Sequence, residues 1–318
     1  MKLNKILAQP KKANADVIPT GINSLDKMIG GGLHIGEICS VAARPGMGKT
    51  SFVMSVVKNV GVLNKIPTAI MSFEANEEYF VDRLLAAEIG WDTFNFIQDK
   101  SEKEFSDDVK TAISIMEDIG FESPEKRRKE YLQQMKEAPV WIEFCTDVIV
   151  DEIIGRIERL KKTDDIQVLV IDGIEWLMTG QDNTERELLM LKLAQTAIRL
   201  RVAVLLTVDV SRNCEFRACN KRPAMVDVKS CVAIYSSVVL FIYRPEYYLI
   251  DKFEDDVPTK NMADLIVAKN HYGEVTFVRV SFFQQARFED WDNKIEVVEA
   301  PIPPFESPIP MYFDNIPF

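Results

Sequence analysis

Short apolar runs recur along the chain, separated by stretches whose apolar residues fall at helical spacing. The runs lie at Ile38–Ala43, Thr68–Phe73, Val140–Phe144, Val168–Asp172, Val202–Val208, Val238–Tyr243, Ala263–Ala268 and Val275–Phe282. Most are nearly continuous in apolar, β-branched residues, which predicts strands buried on both faces. Between them Val150, Ile153, Ile154, Ile157 and Leu160 form one helical stripe. Leu188, Leu189, Leu193, Ala197 and Ile198 form another, behind a Thr184/Glu187 capping box. Both stripes read as core. Alternating strands and helices predict an α/β domain with a central, mostly parallel sheet flanked by helices. The polar stretch Trp91 to Glu137 interrupts that rhythm and reads as an inserted helical region. Within it Lys126-Arg127-Arg128-Lys129, flanked by Glu125 and Glu130, reads as a solvated helix face.

Composition narrows the class. A chain of 318 residues with 47% apolar content accommodates one large α/β domain with extensions, or two small ones. No apolar run approaches membrane-spanning length, and basic Met1 to Lys12 lacks an apolar signal core, so a cytoplasmic location is expected. Five cysteines in mostly apolar or irregular contexts predict no disulfide framework, and Cys214 with Cys219 lacks the second pair or nearby His of a zinc site. The net charge of −11 excludes a uniformly basic nucleic-acid coat. It leaves room for a local patch, and Arg212 to Pro223 carries Arg212, Arg217, Lys221 and Arg222 against Glu215 alone.

The strongest chemical signal is Ala42-Ala43-Arg44-Pro45-Gly46-Met47-Gly48-Lys49-Thr50-Ser51, between a predicted strand and a predicted helix. Glycines followed by Lys-Thr at a helix start form a phosphate-binding loop. Gly46 and Gly48 let backbone N–H groups turn toward phosphates, Lys49 neutralises β- and γ-phosphates, and the Thr50 hydroxyl suits Mg²⁺. The strict pattern wants Gly where Ala43 stands. Asp172 closes an apolar run, where a carboxylate reaches Mg²⁺ directly or through water. Glu74 follows another and is positioned to orient or deprotonate a water attacking the nucleotide.

Taken together, these residues resemble the RecA-like motor domain of DnaB-type hexameric replicative helicases. The likeness runs in family order from Ile18-Pro19-Thr20-Gly21 and Leu25-Asp26 through the phosphate loop, Ser72-Phe73-Glu74, Ala138-Pro139 and Val170-Ile171-Asp172. It continues through Lys221-Arg222-Pro223, Val239-Leu240-Phe241-Ile242-Tyr243-Arg244 and Ala268-Lys269 to Arg287-Phe288-Glu289. Ala at the first loop position is also how that family writes it. The resemblance implies a RecA-like P-loop NTPase fold over residues 18–290, preceded by a linker (1–17) and followed by an acidic tail rich in Pro and aromatic residues (291–318). It further implies a homo-oligomeric ring, usually of six subunits, with ATP and Mg²⁺ between neighbours and single-stranded DNA in the channel. Lys49, Thr50 and Asp172 match phosphate and Mg²⁺ ligands, Glu74 the catalytic base, and Arg212–Arg222 a DNA-facing loop.

The chain departs from the family at three places. Asp209 stands where a Gln senses the γ-phosphate, and His271, two positions past Lys269, stands where an arginine finger reaches a neighbour's site. Gly173-Ile174-Glu175 replaces Tyr-Leu-Gln after Asp172. The tail tip, Phe313 to Phe318, resembles the acidic tip of bacterial single-stranded DNA-binding proteins and suits docking on replication proteins. The expected function is an ATP-driven replicative DNA helicase, of phage or mobile-element type given its minimal form. The competing expectation is a weakly hydrolysing DnaB-like ATP-binding scaffold or helicase loader. A relative of recombinases or clock-type ATPases fits the phosphate loop but not the Lys221-to-Glu289 series.

Overall fold

A computed structural model of the protein describes residues 16–90, 124–146, 149–217, 220–283 and 286–291. Residues 1–15, most of the inserted region, Cys219 and the tail with its Phe313–Phe318 tip lie outside them.

A short antiparallel pair, β1 (Val17–Ile18) with β2 (Leu33–His34), brackets helix α1 (Asn23–Met28). The chain then alternates through β3 (Ile38–Ala43), α2 (Lys49–Val57, continuing as a wider turn to Leu63), β4 (Thr68–Ser72), α3 (Glu77–Ile89), α4 (Pro124–Lys136) and β5 (Val140–Phe144). It goes on through α5 (Val150–Asp164), β6 (Val168–Asp172), α6 (Ile174–Met178), α7 (Asn183–Leu200), β7 (Ala203–Asp209), α8 (Ser230–Tyr235) and β8 (Val238–Tyr243). Three antiparallel strands close it: β9 (Met262–Asn270), β10 (Phe277–Phe283) and β11 (Arg287–Asp290).

Among the described residues the main sheet has nine strands in the order β11-β10-β9-β8-β3-β7-β6-β4-β5. The six from β8 to β5 run parallel. Each predicted apolar run is thus a strand of this sheet. Side chains alternate between its faces, so each face has its own core. Val41, Val170, Leu205 and Leu240 pack with Phe52, Met54 and Phe80 on one side. Ala42, Ile171, Leu206 and Phe241 pack with Ile153, Ile157, Leu189 and Leu193 on the other.

Several sequence expectations are corrected. The box that caps α7 is Asp182 with Glu185, not Thr184 with Glu187: Asp182 Oδ1 accepts the Glu185 N–H at 2.8 Å, and Glu185 Oε2 accepts the Asp182 N–H at 2.8 Å. Of that helix's stripe, Leu189, Leu193 and Ala197 are buried, whereas Leu188 and Ile198 are 50% and 66% exposed. The last two predicted strands also differ in extent: β9 spans Met262–Asn270, because its ladder with β8 runs on to Asn270, and β10 spans Phe277–Phe283, which leaves Val275 and Thr276 before the strand. In the basic stretch of α4, Lys126, Arg127 and Lys129 are exposed, as a solvated face requires, and Arg127 reaches Glu88 at 3.1 Å.

The motif around Thr20 and Asp26 is structural. Asp26 accepts the Thr20 hydroxyl at 2.7 Å and N–H at 2.9 Å. Asp290, at the far end of the domain, accepts the N–H groups of Asn23 and Ser24 at 2.9 Å each, which clasps β11 to α1.

Candidate nucleotide site

The parallel strands end together, and the loops leaving β3, β4, β6 and β7 meet at that edge, where open α/β sheets bind ligands. The first of these loops is Arg44–Gly48. Gly46 and Gly48 have φ of +80° and +100°, conformations that L-residues with a side chain rarely adopt. A Cβ on Gly46 would lie 2.9 Å from Tyr247 and one on Gly48 3.1 Å from Phe288, so the loop has no room for larger residues. Met47 is buried beneath it. Helix α2 begins at Lys49, with Thr50 in its first turn and Ser51 buried, so the orphan N–H groups of the turn face the edge.

An open cleft of about 420 Å³ beside this loop is lined by Thr50, Glu74, Ala75, Asn76, Tyr79 and Asp172. Asp172 is only 2% exposed and accepts the Thr207 hydroxyl at 2.9 Å, while the same hydroxyl receives the Gly173 N–H at 2.8 Å. Burial raises the Asp172 carboxyl above its ordinary range, against the pull of Thr207 and Lys49. Glu74 is raised as well, first by desolvation against the cleft wall and then by Asp172. Burial likewise raises Glu175, whose Oε1 accepts the Asp209 N–H at 2.6 Å. Three carboxylates, Glu74, Asp172 and Asp209, therefore surround the ammonium of Lys49, which bonds Asp209 and the Ala43 carbonyl (3.2 Å). Among the described residues no cluster of three His, Cys, Asp or Glu is placed to hold a metal ion by itself. The pairing of a buried carboxylate with the Thr50 hydroxyl at one cleft instead fits a hard cation that takes its remaining oxygens from phosphate and water.

The remaining expected site residues fall into two groups. Arg44 does not face the cleft: its Nε reaches Glu215 and its Nη1 the Val210 carbonyl, both at 2.9 Å. Lys269 and His271 lie at the opposite edge of the sheet, since Asn270 pairs with Val238 and Val238 with Cys39 at the start of β3. The Lys269 ammonium is bound to the carbonyl of Ala233 at 2.7 Å, and His271 is exposed.

In the basic loop, Arg217 makes a bidentate pair with Asp227 (2.8 Å to each oxygen), a carboxylate 1% exposed. Arg222 lies 3.3 Å from fully buried Asp264, which Arg279 also contacts at 3.0 Å. Lys221 sits over the Tyr248 ring, and Arg212 is exposed. Cys214 is buried and free.

Three further residues bear on the site or its loop, although the sequence reading assigns none of them a role in it. Thr207 is a polar residue inside an apolar run, which is itself a signal. Arg244 ends β8 at the same edge, donates to the Gly46 carbonyl at 3.2 Å and lies over Phe282. Glu215 carries no sequence signal of its partnership with Arg44.

The sequence profile of the DnaB-like helicase C terminal domain matches residues 17–290. The replicative DNA helicase DnaB of Geobacillus stearothermophilus is 28% identical over 295 residues, 90% of this chain and 59% of that protein. The replicative DNA helicase DnaC of Bacillus subtilis is 27% identical over 302 residues, 92% of this chain and 60% of that protein. The chain thus spans about three-fifths of the length of these relatives. Among solved structures, an isolated ATPase domain aligns with a TM-score of 0.74 at 20% identity, covering 91% of this chain and 97% of that one. A DnaB-like replicative helicase, described with its interactions with primase, aligns with a TM-score of 0.74 at 20% identity over 91% of this chain and 66% of that one. A RecA-like sheet with its phosphate loop, and a profile match running from β1 to β11, place this chain in the family of DnaB-like helicase C-terminal domains.

Proposed function

We propose that the chain is an ATP-dependent DNA helicase motor of replication, hydrolysing ATP at subunit interfaces and translocating on single-stranded DNA. The observation that carries this reading is one cleft holding Thr50, Glu74 and Asp172 beside the Lys49 loop. In it Lys49 and the α2 N-terminus bind β- and γ-phosphates, while Thr50 and Asp172 hold Mg²⁺. An ion held by Thr50 and Asp172 would supply positive charge against the negative charge that develops on the phosphates. Glu74 orients a water toward the γ-phosphorus and takes its proton as the new P–O bond forms. The bond to the β–γ bridging oxygen breaks, leaving ADP and phosphate. A carboxyl raised by its surroundings is a better base than an ordinary one, because its pKa lies nearer neutral pH. Arg212 and Lys221 supply backbone-tracking charge for single-stranded DNA. Residues 269–271 lie at the edge away from their own phosphate loop, where a ring neighbour's site meets them. The tip Phe313–Phe318 docks on replication proteins.

A strand-displacement assay on a forked duplex tests this. ATP-dependent unwinding that vanishes in Glu74→Gln supports it; nucleotide-independent strand separation, or none in a verified oligomer, counts against it. Two observations favour a weakly hydrolysing scaffold or loader: Asp209 occupies Lys49, and His271 stands where the family carries Arg. In that case ATP binds tightly without turnover.

A further inference from the structure

The segment that follows β7 is fastened to the phosphate loop at four points. Asp209 pairs with Lys49. The Val210 N–H donates to the Ala43 carbonyl at 3.2 Å, and the Val210 carbonyl accepts Arg44 Nη1 at 2.9 Å. Glu215, in the single 3₁₀ turn Arg212–Phe216, takes Arg44 Nε at 2.9 Å. That turn carries Arg212 and leads directly into Arg217. The Lys49 side chain is only 11% exposed; its ammonium is the group a bound triphosphate needs, and a carboxylate already on it is a competitor. Asp209 is itself tied back to Glu175 through its N–H, so its surroundings hold two further negative charges, Glu175 and Asp172, that oppose an approaching phosphate.

We propose that Asp209 is a built-in counter-anion of the phosphate-loop lysine, which an incoming triphosphate must displace. The proposal rests on the nucleotide-site reading above. When phosphate takes Lys49, Asp209 loses its ammonium partner and turns toward solvent, where it is already 41% exposed. The other three fastenings, from Val210 to the Ala43 carbonyl, from Arg44 to the Val210 carbonyl and from Arg44 to Glu215, do not involve the Asp209 carboxylate and keep the segment on the phosphate loop.

The test is equilibrium binding of Mg-ATP to the full chain and to Asp209→Asn, Asp209→Gln and Lys49→Ala. Removing the competing charge is expected to tighten ATP binding about tenfold in Asp209→Asn or Asp209→Gln, the scale of one partly exposed charge-assisted hydrogen bond. A purely structural role for Asp209 predicts the opposite sign. Loss of ATP binding in Lys49→Ala, with unchanged or weaker binding in folded Asp209 variants, would overturn the counter-anion and spare the phosphate-loop reading. Unaltered binding in Lys49→Ala would overturn both.

Discussion

Arg212, Arg217, Lys221 and Arg222 look equivalent as letters, and the structure divides them. Arg217 and Arg222 neutralise Asp227 and Asp264, two carboxylates buried at 5% and 0% residue exposure, so their first role is to hold the loop's shape. Arg217→Ala leaves Asp227 buried without its partner, which costs about 3 kcal/mol, the low end for a broken buried pair because Arg217 is partly exposed. Urea unfolding reads this directly. Arg212→Ala is expected to leave that midpoint unchanged, yet to lower the dependence of single-strand affinity on salt by about one in log–log slope. An Arg212 variant with an unchanged slope would move the DNA path elsewhere. The charges were legible in the sequence, but their partners were not: an Asp in a polar stretch gives no sign that it will be buried. Asp172 and Glu74 were legible because each carboxylate ends an apolar run, and the same rule would have singled out Arg244.

At the scale of elements, the buried strands announced themselves through continuous apolar runs, whereas caps and short strands did not. Asp182-Asn183-Thr184-Glu185-Arg186-Glu187 contains two overlapping capping-box patterns, and only packing selects the first. Each helical residue turns about 100°, so a face centred on Leu189, Leu193 and Ala197 leaves Leu188 and Ile198 outside it. Strand β11 has four residues, too short for a pattern, yet it positions Asp290 on the first turn of α1. Asp290→Ala removes an acceptor from two N-terminal N–H groups and is expected to cost about 1 kcal/mol, as helix caps do. Burial raises the Asp290 carboxyl, but the bonds from Ser24 and Asn23 outweigh it and hold it below its ordinary 3.8. A carboxyl lowered by folding contributes stability that is present above its unfolded pKa and lost as pH falls through the folded one. The stability difference between the natural chain and Asp290→Asn should therefore hold at pH 7 and shrink below about pH 4. A pH-independent difference would assign the clasp to packing alone.

At the scale of the whole molecule, one sheet separates two functional edges. The phosphate loop, Glu74 and Asp172 share one edge and Lys269 and His271 share the other; in the proposed ring a neighbouring subunit would bring such edges together. Among the described residues no helix is long and apolar enough to cross a membrane. The strand order, with β3 between β7 and β8, was not readable from apolar runs, because a fully buried strand looks alike wherever it stands in a parallel sheet. The Lys269 ammonium is engaged by the Ala233 carbonyl, so under the proposed ring His271 is the residue left to act across the interface. An arginine finger contributes roughly 10³–10⁵ in rate in related chemistry. His271→Arg is thus expected to raise ATP turnover at least about tenfold, and only at protein concentrations where the oligomer forms. An equal gain in monomer would refute a role in trans. The most direct measurement of the central claim is ATP turnover with and without single-stranded DNA, in the natural chain and in Glu74→Gln, with the oligomer verified. A DNA-driven motor predicts turnover that DNA stimulates and Glu74→Gln abolishes; tight ATP binding with negligible turnover in both chains would contradict it.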